Sequence, residues 1–326
     1  MALKLTVVGS YPKPPPEGGE FRLRKTLQAL DRGEATEKDV AAAEDDLTAQ
    51  ILAEQVAAGV DLVTDGQVRW DDPLTRVAAG LEGFTTSGLL RFFDNNTYFR
   101  RPVVKGPVGR SEPIVLDEFR FAKEHSHVPV KAVLCGPYTL AALSHDEHYG
   151  DVAALAGDLA RALNAEARDL AAAGAGAVQF DEPALAAVPG QPPGDVGVLA
   201  RVAETLVDGV SATTILATYF GDVAAHGGRL FELPFDGFGL DLVAGPANFD
   251  AVSDFPDGRI LQAGIADARN TRLDEVDRLR VTIERLGRHV DLDRLWISPS
   301  CGLEFLPRVA ARRKLERLAE VKESGR

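Results

Sequence analysis

The segment AVQFDEPALAAV, Ala177–Val188, is a short apolar run that ends in two adjacent carboxylates, Asp181 and Glu182, and passes at once into Pro183 and an Ala/Leu-rich stretch. Proline suits the first turn of a helix, and an acid just before it can cap free N–H groups and complement the helix dipole. One carboxylate is enough for that. Asp181, coming straight off the apolar run, would project from the rim of the sheet to which the run belongs. It is expected to face a pocket, with Glu182 left as the cap.

The same alternation recurs outward in both directions. Eight apolar runs end in Gly, Pro, Asp, Ser or a similar break: LTVV before Gly9, DLVT before Asp65, KAVL before Cys135, AVQF before Asp181, TILA before Thr218, GFGL before Asp241, ILQAG before Ile265 and LWIS before Pro299. Between them, residues 36–59 and 151–173 carry apolar positions at i, i+3, i+4 and i+7, the period of amphipathic helices. Near-continuous apolar strands belong to a parallel sheet covered by helices. Eight such units predict a closed α/β structure, a (β/α)8 TIM barrel, in one domain spanning residues 1–326. An open doubly wound sheet would carry a glycine fingerprint after its first strand, and VGSYPKPPP is not GxGxxG. Two stretches exceed the plain barrel. One is an N-terminal extension with a proline cluster, residues 11–35. The other is an insertion after the second strand, where Asn95-Asn96 between aromatic runs predicts a hairpin across the barrel mouth.

A formal net charge of -13 without a long Lys/Arg run excludes a nucleic-acid partner and an anionic membrane surface. No apolar stretch is long enough to span a bilayer, and two cysteines are too few for a disulfide framework, so a cytoplasmic home is expected. Ser-His-Asp, P-loop, HExxH and CxxC patterns are absent, which removes the common hydrolase and phosphoryl-transfer readings.

Active sites of TIM barrels lie at the carboxyl ends of the strands. Those ends read GSYP (9–12), TDGQVRW (64–70), CGPYT (135–139), DEPA (181–184), TYFGD (218–222), LDLVAG (240–245), GIADARN (264–270) and SPSCG (298–302). Nearly all offer a polar or reactive group. Ser10, Gln67, Asp181, Asp241, Asp267, Arg269 and Cys301 are therefore expected around one depression, with Arg269 or a bound cation inside the group to hold the acids ionised.

In order along the chain, VVGSYPKP, GVDLVTDGQVRWDDP, VKAVLCGPYTL, VQFDEPAL and SPSCGL resemble the motifs of the cobalamin-independent methionine synthase family. That family's zinc-dependent barrels move a methyl group from methyl-folate, or in short members from a methyl-corrinoid, to the thiol of homocysteine. The resemblance implies that Ser10, Gln67, Asp181 and Asp241 bind substrate, Gln67 standing where the family has a carboxylate. It implies that Cys301 and Asp241 are the surviving zinc ligands. The family's His-x-Cys is replaced by Ala217 and Tyr219, and its proton-shuttling histidine by Arg269. TYF and ARN also resemble the zinc-free amino-terminal barrel of the long family members.

The resemblance thus implies a methyltransferase in which Asp181, Asp267, Arg269 and Cys301 are catalytic. From their strand-end positions alone, Arg269 is expected to lower a thiol pKa, or Cys301 itself to receive an alkyl group. Its partners are a small-molecule thiol and a methyl donor, with zinc as the implied metal. The alternative is a non-catalytic barrel that binds folate, corrinoid or amino acid and is completed by a corrinoid protein or a partner subunit. A porphyrin-type decarboxylase would want a basic carboxylate clamp, which the sequence does not show.

Overall fold

The computed structural model describes residues 3–16 and 18–324. Its strands are β1 (Lys4–Leu5), β2 (Glu82–Arg91), β3 (Tyr98–Gly109), β4 (Lys131–Cys135), β5 (His145–Asp146), β6 (Ala177–Asp181), β7 (Thr213–Ala217), β8 (Gly237–Asp241), β9 (Ile260–Ala266) and β10 (Leu295–Pro299). Seven of them form one parallel sheet in the order β1-β10-β9-β8-β7-β6-β4. Strands β4, β6, β8, β9 and β10 bury every residue, as strands walled on both faces must.

The gap between β1 and β4 is closed by the run 61–64, which was expected to be a full strand and is reduced to single parallel bridges, Thr6 to Leu62 and Val63 to Val130. Side chains have taken over part of the ladder there. Asp61 accepts the Leu5 amide at 2.7 Å, and Thr6 Oγ1 donates to the Leu62 carbonyl at 2.8 Å. Gln55 pairs with the main chain of Thr64 in both directions, at 2.8 and 3.1 Å. The backbone polar groups are satisfied without a regular strand, which is what burial demands. The circuit of eight positions is that of a TIM barrel.

The helices expected at 36–59 and 151–173 are Glu37–Ala57 and Val152–Ala172. The first opens on a capping box between Thr36 and Asp39, the second on Asp151 accepting the Ala153 amide. Within the extension, helix Arg22–Asp31 follows the proline loop. The insertion is the antiparallel hairpin β2–β3, with β5 added parallel to β3. Its tip reaches the barrel mouth: the Phe92 and Phe93 rings lie 5.9 and 5.8 Å from that of Phe220, just past β7. No helix among the described residues is long and apolar enough to cross a membrane.

Candidate active site

Asp181, the last residue of β6, is 7% exposed. Two positions earlier, on the same face, Gln179 donates Nε2 to Asp181 Oδ1 at 2.6 Å and to the Val8 carbonyl at 2.8 Å. The orientation of that amide is fixed by Lys131, at the start of β4. Its ammonium, 1% exposed, donates to Val7 O at 2.6 Å, Gln179 Oε1 at 2.5 Å and Gln262 Oε1 at 2.9 Å. An ammonium has three protons and no acceptor, so both glutamines must present oxygen to it and Gln179 must present N–H to Asp181. From β7's end, the Tyr219 hydroxyl donates to Asp181 Oδ2 at 3.1 Å. Burial pushes Asp181 up to about 7 against the pull of Gln179, Lys131 and Tyr219. Burial likewise brings Lys131 down to about 7, with the Asp181 charge opposing.

Glu182 is turned away from the mouth. It takes the Tyr138 and Thr139 amides at 2.8 and 2.6 Å, capping the helix Pro137–Leu143 on the neighbouring strand rather than the 3-10 turn that it precedes. Gly136 makes this approach possible, since a Cβ there would strike the Glu182 carboxylate.

A cavity of about 230 Å³ opens at this end of the barrel, lined among others by Ser10, Lys13, Gln67, Trp70, Asp72 and Glu304. Ser10 Oγ donates to Gln67 Oε1 at 2.5 Å. Lys13 donates to the Trp70 carbonyl. Glu304 lies beside Ser10, feels the charges of Asp181 and Lys13, and is pushed up to about 7 chiefly by burial. Its Oε2 is buried and has no hydrogen-bond partner. Among the described residues three non-glycines hold positive φ, and all three stand at this rim: Gln67 (53°), Phe93 (51°) and Phe220 (75°). Strain of this kind collects where a site needs an unusual backbone.

The other residues singled out in the sequence lie farther round the rim. Asp241 is fully buried; Oδ1 takes the Val243 and Ala244 amides at 2.9 and 2.8 Å, and Oδ2 takes the Phe220 amide at 3.1 Å. Asp267 turns back on its own loop, accepting the Arg269 amide at 2.8 Å and the Asn270 side chain. Arg269 was expected among the acids. Its guanidinium instead reaches the hairpin tip, 3.5 Å from Asp94, and lies over the Phe220 ring. The cation beside Asp181 is Lys131. Cys301 is fully buried, its Sγ 3.5 Å from the Gly302 carbonyl, and burial with Glu304 and Asp241 nearby pushes the thiol well up.

These residues do not fit a zinc ion. Asp241 and Cys301 are the two ligands that the family motif leaves here, and two fall short of an ordinary zinc site. Among the described residues no three His, Cys, Asp or Glu side chains are gathered as a metal would need. Tyr219, where the family has a ligand, is engaged with Asp181.

The family model for the catalytic domain of cobalamin-independent synthase matches residues 3–324. The chain belongs to that family. Its class of activity is methyl transfer of the cobalamin-independent methionine synthase kind. The methionine synthase of Saccharolobus solfataricus is 30% identical over 320 residues, 98% of this chain and 93% of that protein. That of Sulfurisphaera tokodaii is 31% identical over 315 residues, 96% and 89% of the two chains. In fold, the chain is similar to a B12-independent methionine synthase from Shewanella sp. W3-18-1 solved with selenomethionine: TM-score 0.80, 22% identity, 100% of this chain and 98% of that one.

Sequence reading of this cobalamin-independent synthase barrel missed Lys13, Lys131, Gln179, Gln262 and Glu304. The two glutamines carried a usable signal, since each interrupts an otherwise apolar strand that is buried throughout.

Proposed function

We propose that the mouth of this barrel holds homocysteine and that the protein transfers to its sulfur the methyl group of a methyl-folate or methyl-corrinoid. The observation that carries the reading is Asp181: a carboxylate at a strand end, locked from one side by Gln179 and from the other by Tyr219, its charge felt by Glu304, which lines a cavity of about 230 Å³. Its charge suits the substrate ammonium, and Ser10 and Gln67 line the cavity. Selenomethionine in the Shewanella relative is a ligand of that chemical type. In the transfer, sulfur forms its bond to the methyl carbon as the methyl's bond to the donor breaks, and the thiol proton leaves with the displaced donor or to solvent. The protein's part is to bind, orient and exclude water; no step is assigned to zinc.

The lack of a third metal ligand supports a second reading, a barrel that binds the amino acid and turns it over only with a partner subunit or corrinoid protein. Purified protein with homocysteine and either methyl-tetrahydrofolate or methylcobalamin separates the two. Methionine formed by the protein alone supports transfer, and the productive donor is thereby identified. Bound amino acid without methionine from either donor supports the second reading and overturns the first.

A further inference from the structure

Gln67 occupies the wall where a carboxylate would receive the ammonium group, and it is neutral. Its oxygen already takes the Ser10 hydroxyl, so one lone pair is left for an ammonium and that contact carries no charge. Glu304 lines the same cavity, within hydrogen-bond reach of the same Ser10 hydroxyl. Glycine at 302 leaves room for this, because a Cβ there would collide with the Glu304 carboxylate. Glu304 forms no ion pair among the described residues. The nearby Lys13 amine is turned to the Trp70 carbonyl, and Glu304 Oε2 is buried with nothing to accept from. A buried carboxylate oxygen without a donor is costly, and a bound cation would remove that cost.

We propose that Glu304 is the specificity-determining residue for the ammonium group of the substrate, acting together with Asp181 and supplying the carboxylate that Gln67 does not. This rests on the methyl-acceptor reading of the mouth and adds a residue to it. The two acids act on each other through their charges; a cation between them satisfies both. The class of ligand selected is an α-amino acid with a sulfur side chain, discriminated from the same thioether or thiol lacking the amino group.

Calorimetric titration with L-methionine and with 4-(methylthio)butanoate, which lacks only the amino group, tests this without turnover. The wild type should prefer L-methionine. Glu304→Gln, isosteric and neutral, should reduce that preference by about tenfold to a hundredfold, the span of one charge-assisted hydrogen bond, with the butanoate bound as before. Adding Gln67→Glu to Glu304→Gln should restore the preference, and a melting temperature no lower than that of the wild type excludes a folding defect. A preference that survives Glu304→Gln overturns the proposal, as does a wild type that binds both compounds equally. Methyl transfer is scored separately: if homocysteine is not methylated while the preference is seen and lost in Glu304→Gln, the function falls and the role of Glu304 stands.

Discussion

The Tyr219 hydroxyl donates to Asp181 across adjacent strand ends, 3.1 Å from Oδ2. Burial and the Asp181 charge push the tyrosine well above its ordinary range, so it remains a donor at every working pH. A donor to a carboxylate favours the ionised form. Tyr219→Phe should therefore raise Asp181 further, from about 7, and move the acid limb of amino-acid binding to higher pH by up to about one unit, the worth of a neutral hydrogen bond. Calorimetry as a function of pH reads this directly. An unmoved limb would mean that Asp181 does not hold the ligand.

Stability should also depend on pH, and the sign follows from the same burial. Asp181, Glu182 and Glu304 are pushed up to about 7, and Asp65 and Asp241 to about 6. Between the unfolded carboxylate range and these values the folded chain keeps protons that the unfolded chain has released. Stability is then fullest below the unfolded values and is lost as pH rises through 6 to 7. Melting temperature should fall from pH 5 to 6.5, below the range in which the buried Lys131, brought down to about 7, releases its proton with an effect of opposite sign; a rise over that window contradicts the assignment.

Lys131→Met removes the donor that satisfies Val7 O, Gln179 Oε1 and Gln262 Oε1. Loss of one partner in a buried network costs roughly 3 kcal/mol or more. Denaturant unfolding should show that loss. The pH limb of ligand binding in the folded fraction should move upward, because the Lys131 charge and the fixed Gln179 both hold Asp181 ionised. Destabilisation with an unchanged limb would make Lys131 purely structural.

Glu182→Ala should cost about 1 to 2 kcal/mol, as for other lost helix caps, while leaving L-methionine affinity unchanged, since Glu182 faces the Pro137–Leu143 helix. A large loss of affinity at constant stability would place Glu182 in the site. Its role shows how the sequence divides. That Glu182 is a cap was legible, but the helix being capped lies on the neighbouring strand, and only strand pairing between β4 and β6 reveals that.

The strand ends were legible because a strand buried on both faces must be apolar until the chain leaves the sheet. The hairpin was legible in Asn95-Asn96. Lys131 was not, since a lysine at the head of an apolar run reads as the solvated start of a strand. Barrel closure alone brings it against Gln262, 131 positions away. Glu304 was hidden for a similar reason: it lies past the last strand motif, where an acid normally faces water. Run 61–64 read as a strand because its apolar pattern is that of one. The side chains of Asp61 and Gln55 that replace its ladder leave no periodic mark.

Metal analysis of the purified protein should find zinc well below one per chain, because among the described residues no three His, Cys, Asp or Glu side chains are gathered to hold it. Stoichiometric zinc that disappears in Cys301→Ser would show that the rim rearranges to make a ligand set.

The central claim, that the acidic mouth around Asp181 is the methyl-acceptor site, is tested most directly by a crystal structure of the protein soaked with L-methionine. The account predicts the ligand at the carboxyl end of the barrel, its amino group within hydrogen-bonding distance of Asp181 and Glu304, beside Ser10 and Gln67. Density instead in the cavity of about 230 Å³ at the opposite end, between Pro256–Arg259 and Gly287–Arg294, with the Asp181 mouth left to water, would contradict it.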